Sequence, residues 1–229
     1  MILRRIKQKL HNIVHPTAGE IWMLHRVVEQ RSDEPEQRML EVTPEWLKQK
    51  ILEYKEKGFS FVSIDTLPKH RHWVCVTFDD GYRDNYTLAY PLLKTLGIPF
   101  TVYVTTGFID NQMPMWWYPN KQLGLSADEI KQLGKEPLCT IGAHTVSHPK
   151  LNMLPYEQQY KEIKASIQVL EQLLNHPIHH FSLPHGAYSN DTLEICRDLG
   201  LRSVVTSWGG AIRHGISYNP FPRVNIIQP

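Results

Sequence analysis

The chain has 229 residues, of which 41% are hydrophobic and 21% charged, with 25 Lys and Arg set against 23 Asp and Glu. That length suits one domain with a sizeable core, and the composition excludes a disordered or fibrous chain. A net charge of +2 gives no basis for a nucleic-acid partner, and no apolar run approaches the length of a membrane-spanning helix.

The opening residues, MILRRIKQKLHNIVHP, are basic but lack an apolar core of signal-peptide length. Residues 1–19 are expected to form a basic helical extension, solvated or resting peripherally on a membrane, ahead of a single domain over 20–229. A first strand is predicted from Glu20 to Val28. Gln30 to Arg38 is charged and loop-like. Thr43 then caps a helix with Pro44 at its first position, and Gly58 ends it. Phe59 to Ile64 reads as a short strand, followed by the apolar run Val74-Cys75-Val76-Thr77-Phe78. Asp84 to Leu96 has helical spacing, with Pro91 forcing a kink. Ile98 to Val104 is a strand, residues 107–120 an aromatic loop with Trp116 and Trp117, and Ser126 to Glu129 a capping box. Leu138 to Ile141, His179 to Leu183 and Leu201 to Val205 are strands. Between them lie helices over Tyr156 to Leu174 and Asp191 to Leu199. Strands alternating with helices argue for a parallel sheet, and about seven such units suggest a barrel.

Cys75, Cys139 and Cys196 form no Cys-x-x-Cys and sit in apolar contexts, which predicts reduced, buried thiols and a cytoplasmic location. The chemistry concentrates after strand ends. Asp79 and Asp80 follow a buried strand, where two adjacent carboxylates repel and lose hydration unless a cation or proton compensates. His144 and His148 follow another strand at a spacing of four. Two imidazoles and one carboxylate suit a divalent cation such as Zn²⁺, leaving the second carboxylate to take a proton from water.

Thr77-Phe78-Asp79-Asp80-Gly81 and His144-Thr145-Val146-Ser147-His148-Pro149 resemble the first two motifs of the polysaccharide deacetylases, carbohydrate esterase family four. Ser182-Leu183-Pro184-His185-Gly186 resembles the third, usually Arg-x-Pro-Tyr/Phe-Gly. The resemblance runs from about His25 to Arg223. It implies an α/β fold, a distorted (β/α)7 barrel, and metal-dependent removal of acetyl groups from an acetylated sugar or oligosaccharide. By position, Asp79 becomes the base, while Asp80, His144 and His148 hold the metal, Zn²⁺ first, with Co²⁺, Ni²⁺ or Mn²⁺ as alternatives. Pro184, His185 and Gly186 border the oxyanion site, to which the His185 N–H would donate.

Two departures stand out. Ser182 replaces the arginine that orients the base. Arg223 could reach the same carboxylate from the last strand or make an ordinary structural ion pair, and the sequence leaves both open. The late Leu-x-His motif that supplies the acid is absent. Met23-Leu24-His25-Arg26-Val27 resembles an early segment in a branch whose acid histidine comes from the N-terminal side, which implies His25, with His185 and His214 as fallbacks. Trp208 is expected to line the acetyl pocket, and Tyr82 and Tyr188 to support the site. Two competing functions remain: hydrolysis of a small non-sugar amide, and a degenerate barrel that binds a glycan or partner without turnover.

Overall fold

The computed structural model describes residues 17–68, 71–118 and 120–229. The expected N-terminal helix falls mostly in residues 1–16, outside the described residues. Strand β1, Thr17–Leu24, begins three residues earlier than the sequence suggested. It breaks at His25, and the chain leaves the sheet to form β2, Arg26–Val27, which pairs in parallel with β3, Glu41–Val42. Between them the expected loop contains a helical turn, α1, Pro35–Arg38. Helix α2, Pro44–Glu56, starts at the Thr43 cap as its sequence requires.

Strands β4, Ser60–Phe61, and β5, Trp73–Phe78, follow. The predicted Asp84–Leu96 helix is a π-helical turn, Asn85–Ala89, running into α3, Tyr90–Leu96. Pro91 thus sits in the first turn of α3, where its missing N–H costs little. The remaining elements are β6, Phe100–Val104, α4, Ala127–Leu133, β7, Cys139–Ala143, α5, Tyr156–Leu174, β8, His180–Ser182, α6, Asn190–Asp198, β9, Ser203–Gly209, β10, Ile212–Arg213, and β11, Phe221–Asn225.

Seven parallel strands close into a ring in the order β1-β5-β6-β7-β8-β9-β11, with β11 returning to β1. The distorted (β/α)7 barrel is therefore the fold. Burial of both faces of β5 explains why every residue but Thr77 in it is apolar. Val74, Val76 and Phe78 face outward into the core beneath the helices, while Trp73 and Cys75 pack inside with Ile21, Tyr103 and Val205. All three cysteines are free thiols. None of the described helices is long and apolar enough to cross a membrane.

The interior is filled by large rings set against glycines. A Cβ on Gly19 would lie 2.1 Å from the Trp73 ring, and one on Gly142 would lie 2.5 Å from Tyr103. The end where the strands begin is closed by a polar layer. His180 bonds Ser203 Oγ at 2.8 Å through Nδ1 and Asp65 Oδ1 at 2.8 Å through Nε2, while Thr140 and Ser63 donate to Asp65 Oδ2. Gly142→Ala should therefore lower stability by about 1–3 kcal/mol in urea unfolding, because the new methyl forces Tyr103 out of its rotamer. An unchanged midpoint would show that the ring has room to move.

Candidate active site

The strand C-terminal ends form one mouth, and it gathers the residues singled out in the sequence. A cavity of about 810 Å³ there is lined by His25, Asp79, Asp80, His144, His148 and His185, with Trp116, Trp117, Ser207 and the α1 segment as its walls. His25 follows β1, the two aspartates follow β5, and His144 follows β7.

Asp79 and Asp80 are both buried, and the structure compensates them differently. Arg223 grips Asp79 with a two-pronged contact: Nη1 donates to Oδ1 at 2.8 Å and Nη2 to Oδ2 at 2.5 Å. The same guanidinium donates to Thr77 Oγ1, Ser182 Oγ and the Thr206 carbonyl, and Ser182 Oγ donates to Asp79 Oδ2 at 3.2 Å. Arg223 is 1% exposed, so this is a fully desolvated pair. Burial pushes the Asp79 carboxyl up, but Arg223 and then His144 more than offset it and hold its pKa below the ordinary carboxylate value. Of the two roles the sequence left open for Arg223, contact with the Asp79 carboxylate is the one observed.

Asp80 takes a left-handed backbone, φ 73°, which turns its side chain away from its neighbour's. Its Oδ1 is buried without a hydrogen bond, with His144 Nε2 at 3.4 Å and His148 Nε2 at 3.2 Å. The three ligand atoms lie within 4.8 Å of one another. His144 Nδ1 lies 2.7 Å from the Ser182 carbonyl, an acceptor only, so Nδ1 carries the proton and the Nε2 lone pair is left for a metal. A carboxylate oxygen with no donor and two imidazole nitrogens facing it fit a divalent cation of the Zn²⁺ type. The His148 loop is held from behind by Glu162 of α5, which accepts from the Val146 and Ser147 amides, each at 2.9 Å. Asp80, Thr145, His148 and His185 are four of the eight described non-glycine residues with left-handed φ. Such strain is held in place only where surrounding contacts fix the backbone.

His185 occupies the 3-10 turn Pro184–Gly186, with its ring centroid 4.5 Å from that of His148. Burial, then the neighbouring His148, pushes its pKa down to about 4. The Gly186 N–H is taken by the Leu183 carbonyl at 2.8 Å. Burial also lowers the His25 pKa, against the pull of Asp80 and Asp79. Other expectations shift. Trp208, 66% exposed, does not line the cavity holding Asp79. It lines an adjoining groove of about 860 Å³ with Tyr188, Met153, Lys150 and Asn225, and the two spaces share His185 and Ser207. The reason is packing: Trp208 lies across Gly186, where a Cβ would come 2.4 Å from its indole nitrogen. Tyr188 is exposed in that groove, whereas Tyr82 is buried and accepts a hydrogen bond from Trp117 Nε1 at 2.6 Å. His214 follows β10, which pairs with Thr17 and Gly19 at the opposite end of the barrel, so it is not near the site. Sequence reasoning missed Ser207 and Glu162, residue types that carry no signal without the fold, and gave Thr77 no role of its own within the first motif.

Removing Arg223 would leave a buried carboxylate unpaired. Arg223→Met should cost about 3–5 kcal/mol of stability and raise the Asp79 pKa, measurable by denaturant unfolding and by carboxyl NMR titration of selectively labelled protein. A near-neutral effect would mean that water reaches Asp79 as a substitute.

The Bacillus subtilis protein YxkH is 30% identical over 138 residues, covering 60% of this chain and 46% of its own. The poly-beta-1,6-N-acetyl-D-glucosamine N-deacetylase of Staphylococcus aureus strain MSSA476 is 27% identical over 163 residues, 66% of this chain and 50% of its own. The chain thus spans about half the length of the curated relatives it matches. Among solved structures, the Streptococcus pyogenes deacetylase PplD in complex with acetate superposes with a TM-score of 0.78 at 26% identity, covering 93% of both chains. Residues 66–204, more than half of the sequence, match the polysaccharide deacetylase family, and the chain belongs to that family.

Proposed function

We propose that this chain is a metal-dependent deacetylase that removes N-acetyl groups from a hexosamine-containing polysaccharide. One observation carries the reading. At a single strand end, a carboxylate anchored by arginine, Asp79, stands beside a carboxylate oxygen, Asp80 Oδ1, that has no hydrogen bond and faces two imidazole nitrogens. Asp80, His144 and His148 would hold the cation, with zinc preferred for an Asp-His-His donor set. When bound, such a cation acidifies water and polarises the acetyl carbonyl.

The rest of the chemistry belongs to the side chains. Asp79 is the general base, accepting the proton of the attacking water. The N–H groups of Arg223 and the Ser182 hydroxyl fix its orientation and keep it ionised at neutral pH. His25, at the end of β1 next to the β5 end that carries Asp79, is the general acid that protonates the departing amine. The altered third motif does not favour a degenerate binding barrel, because Ser182 and Arg223 together supply the contact to Asp79 that a motif arginine would make. The polymer preference draws on the groove beyond His185, where Trp208 and Tyr188 offer exposed aromatic faces to sugar rings next to the reacting one.

Acetate release from N-acetylglucosamine oligosaccharides tests the reading. Chelation should abolish it and Zn²⁺ or Co²⁺ restore it, and Asp79→Asn should lower kcat by about 10²–10⁴-fold with metal binding retained. No acetate from any chain length, with zinc demonstrably bound, would sink the activity. In the same assay kcat/KM should rise from the monosaccharide to the tetrasaccharide, and Trp208→Ala should remove about two- to tenfold of that rise. A rise that survives Trp208→Ala would remove the groove from substrate binding.

A further inference from the structure

We propose that Asp84 and Asn85 are positioning residues for His25, holding the general acid at a fixed place relative to the base. The inference rests on the deacetylase reading above. His25 lies where the chain leaves the barrel, after the last residue of β1 and before β2, so no regular strand ladder holds it. The loop after β5 supplies the missing constraints. The Asp79 N–H donates to the Leu24 carbonyl at 3.0 Å, and Asn85 Nδ2 donates to the carbonyl of His25 itself at 2.8 Å. Asp84 Oδ1 accepts from the Val27 N–H at 3.0 Å, and its Oδ2 accepts from Arg26 Nε at 2.8 Å. The peptide groups on both sides of His25 are thereby tied to residues 79–85. One seven-residue stretch carries the base, a metal ligand and the holder of the acid.

The chemistry of these two side chains supports a role beyond packing. Asn85 is fully buried, and its Oδ1 has no hydrogen-bond partner among the described residues. An apolar residue of that size would avoid the penalty of an unsatisfied buried oxygen. What asparagine supplies instead is the Nδ2 bond to the His25 carbonyl. Arg26, the residue after His25, is clamped by Asp84 and by Glu41 at 3.0 Å, with its guanidinium 5.4 Å from the Tyr82 ring centroid and 5.1 Å from that of Tyr118. This buried cluster fixes the direction in which the chain exits, and with it the direction of the His25 Cα–Cβ bond.

A misplaced acid has a signature that a loosened fold lacks. As the C–N bond of the acetamide breaks, its electron pair goes to nitrogen, which takes a proton delivered through His25, and the proton that Asp79 accepted from the attacking water makes good that loss, so that the amine leaves neutral and both side chains return to their starting state. A 4-nitrophenyl ester needs no such proton, because 4-nitrophenolate is a stable leaving group. The readout is therefore the ratio of kcat on an N-acetylglucosamine oligosaccharide to kcat on 4-nitrophenyl acetate, measured on the zinc-loaded full chain. His25→Ala should lower this ratio about 10²-fold or more. Asn85→Ala should lower it roughly tenfold through misplacement, with KM for the oligosaccharide changing little. Asp84→Asn, which keeps an acceptor for the Val27 amide, should lower it less than Asp84→Ala. Zinc binding by calorimetry identifies variants that fold, and Asn85→Ser takes the place of Asn85→Ala if the latter does not. If amide and ester rates fall together in the Asn85 and Asp84 variants while His25→Ala lowers the ratio, the positioning role is overturned. A ratio unchanged in His25→Ala overturns the acid assignment itself.

Discussion

Two adjacent carboxylates buried at the end of one strand are the constraint around which this molecule is organised. Side by side in a low-dielectric interior they repel, and each loses its hydration. The fold gives them different solutions. Asp79 stays in register with the strand and receives a complete set of donors from Arg223 and Ser182. Asp80 is rotated out by its left-handed backbone toward two imidazoles and is left one oxygen short of a hydrogen bond. A saturated anion suits a base that must keep one orientation. An unsaturated one suits a cation.

Barrel closure makes the first solution available. Strand β1 lies between β11 and β5, so Arg223 reaches across the interior from one side of β1 to a carboxylate on the other. Thr77, two residues before Asp79, faces the same interior and accepts from Arg223 while donating to the Trp22 carbonyl at 2.6 Å. Ser182 enters from β8 and completes the cage. A larger side chain at 182 would fill the space that the guanidinium occupies, so the small residue on β8 and the arginine on β11 are two parts of one arrangement.

That pairing shows where reading the sequence stops. The Asp-Asp and His-x-x-x-His patterns, each after an apolar run, carried the metal and base candidates, because strand ends and short spacings are local information. The barrel was legible for the same reason: helix α5 ends and begins where its periodicity says, and the Ser126 and Thr43 caps fall in place. The partner of Asp79 was legible only as one of two readings of Arg223, since that residue lies 144 residues away and the choice depends on which strands close the ring. Trp208 shows a related limit. The sequence reads the strand as ending before it, whereas β9 runs on through Trp208 to Gly209, and the side from which it covers Gly186 is set by three-dimensional packing alone.

The two ends of the barrel offer an internal control on what makes a cluster a site. At the strand starts, Asp65, His180 and Ser203 stand in the relative geometry of a hydrolytic triad, with both contacts at 2.8 Å. Yet every polar atom of the Asp65 carboxylate and the His180 ring has a partner there, and Ser203 is buried beneath the interior rings rather than open to a substrate. The cluster is a plug that closes the end of the barrel with satisfied hydrogen bonds. At the strand ends the opposite holds: an unsatisfied Asp80 oxygen, an unpartnered His148 Nδ1, left-handed residues and a cavity coincide. Similar residue types at the two ends do different work because one set has spent its bonding capacity on the fold and the other has kept it.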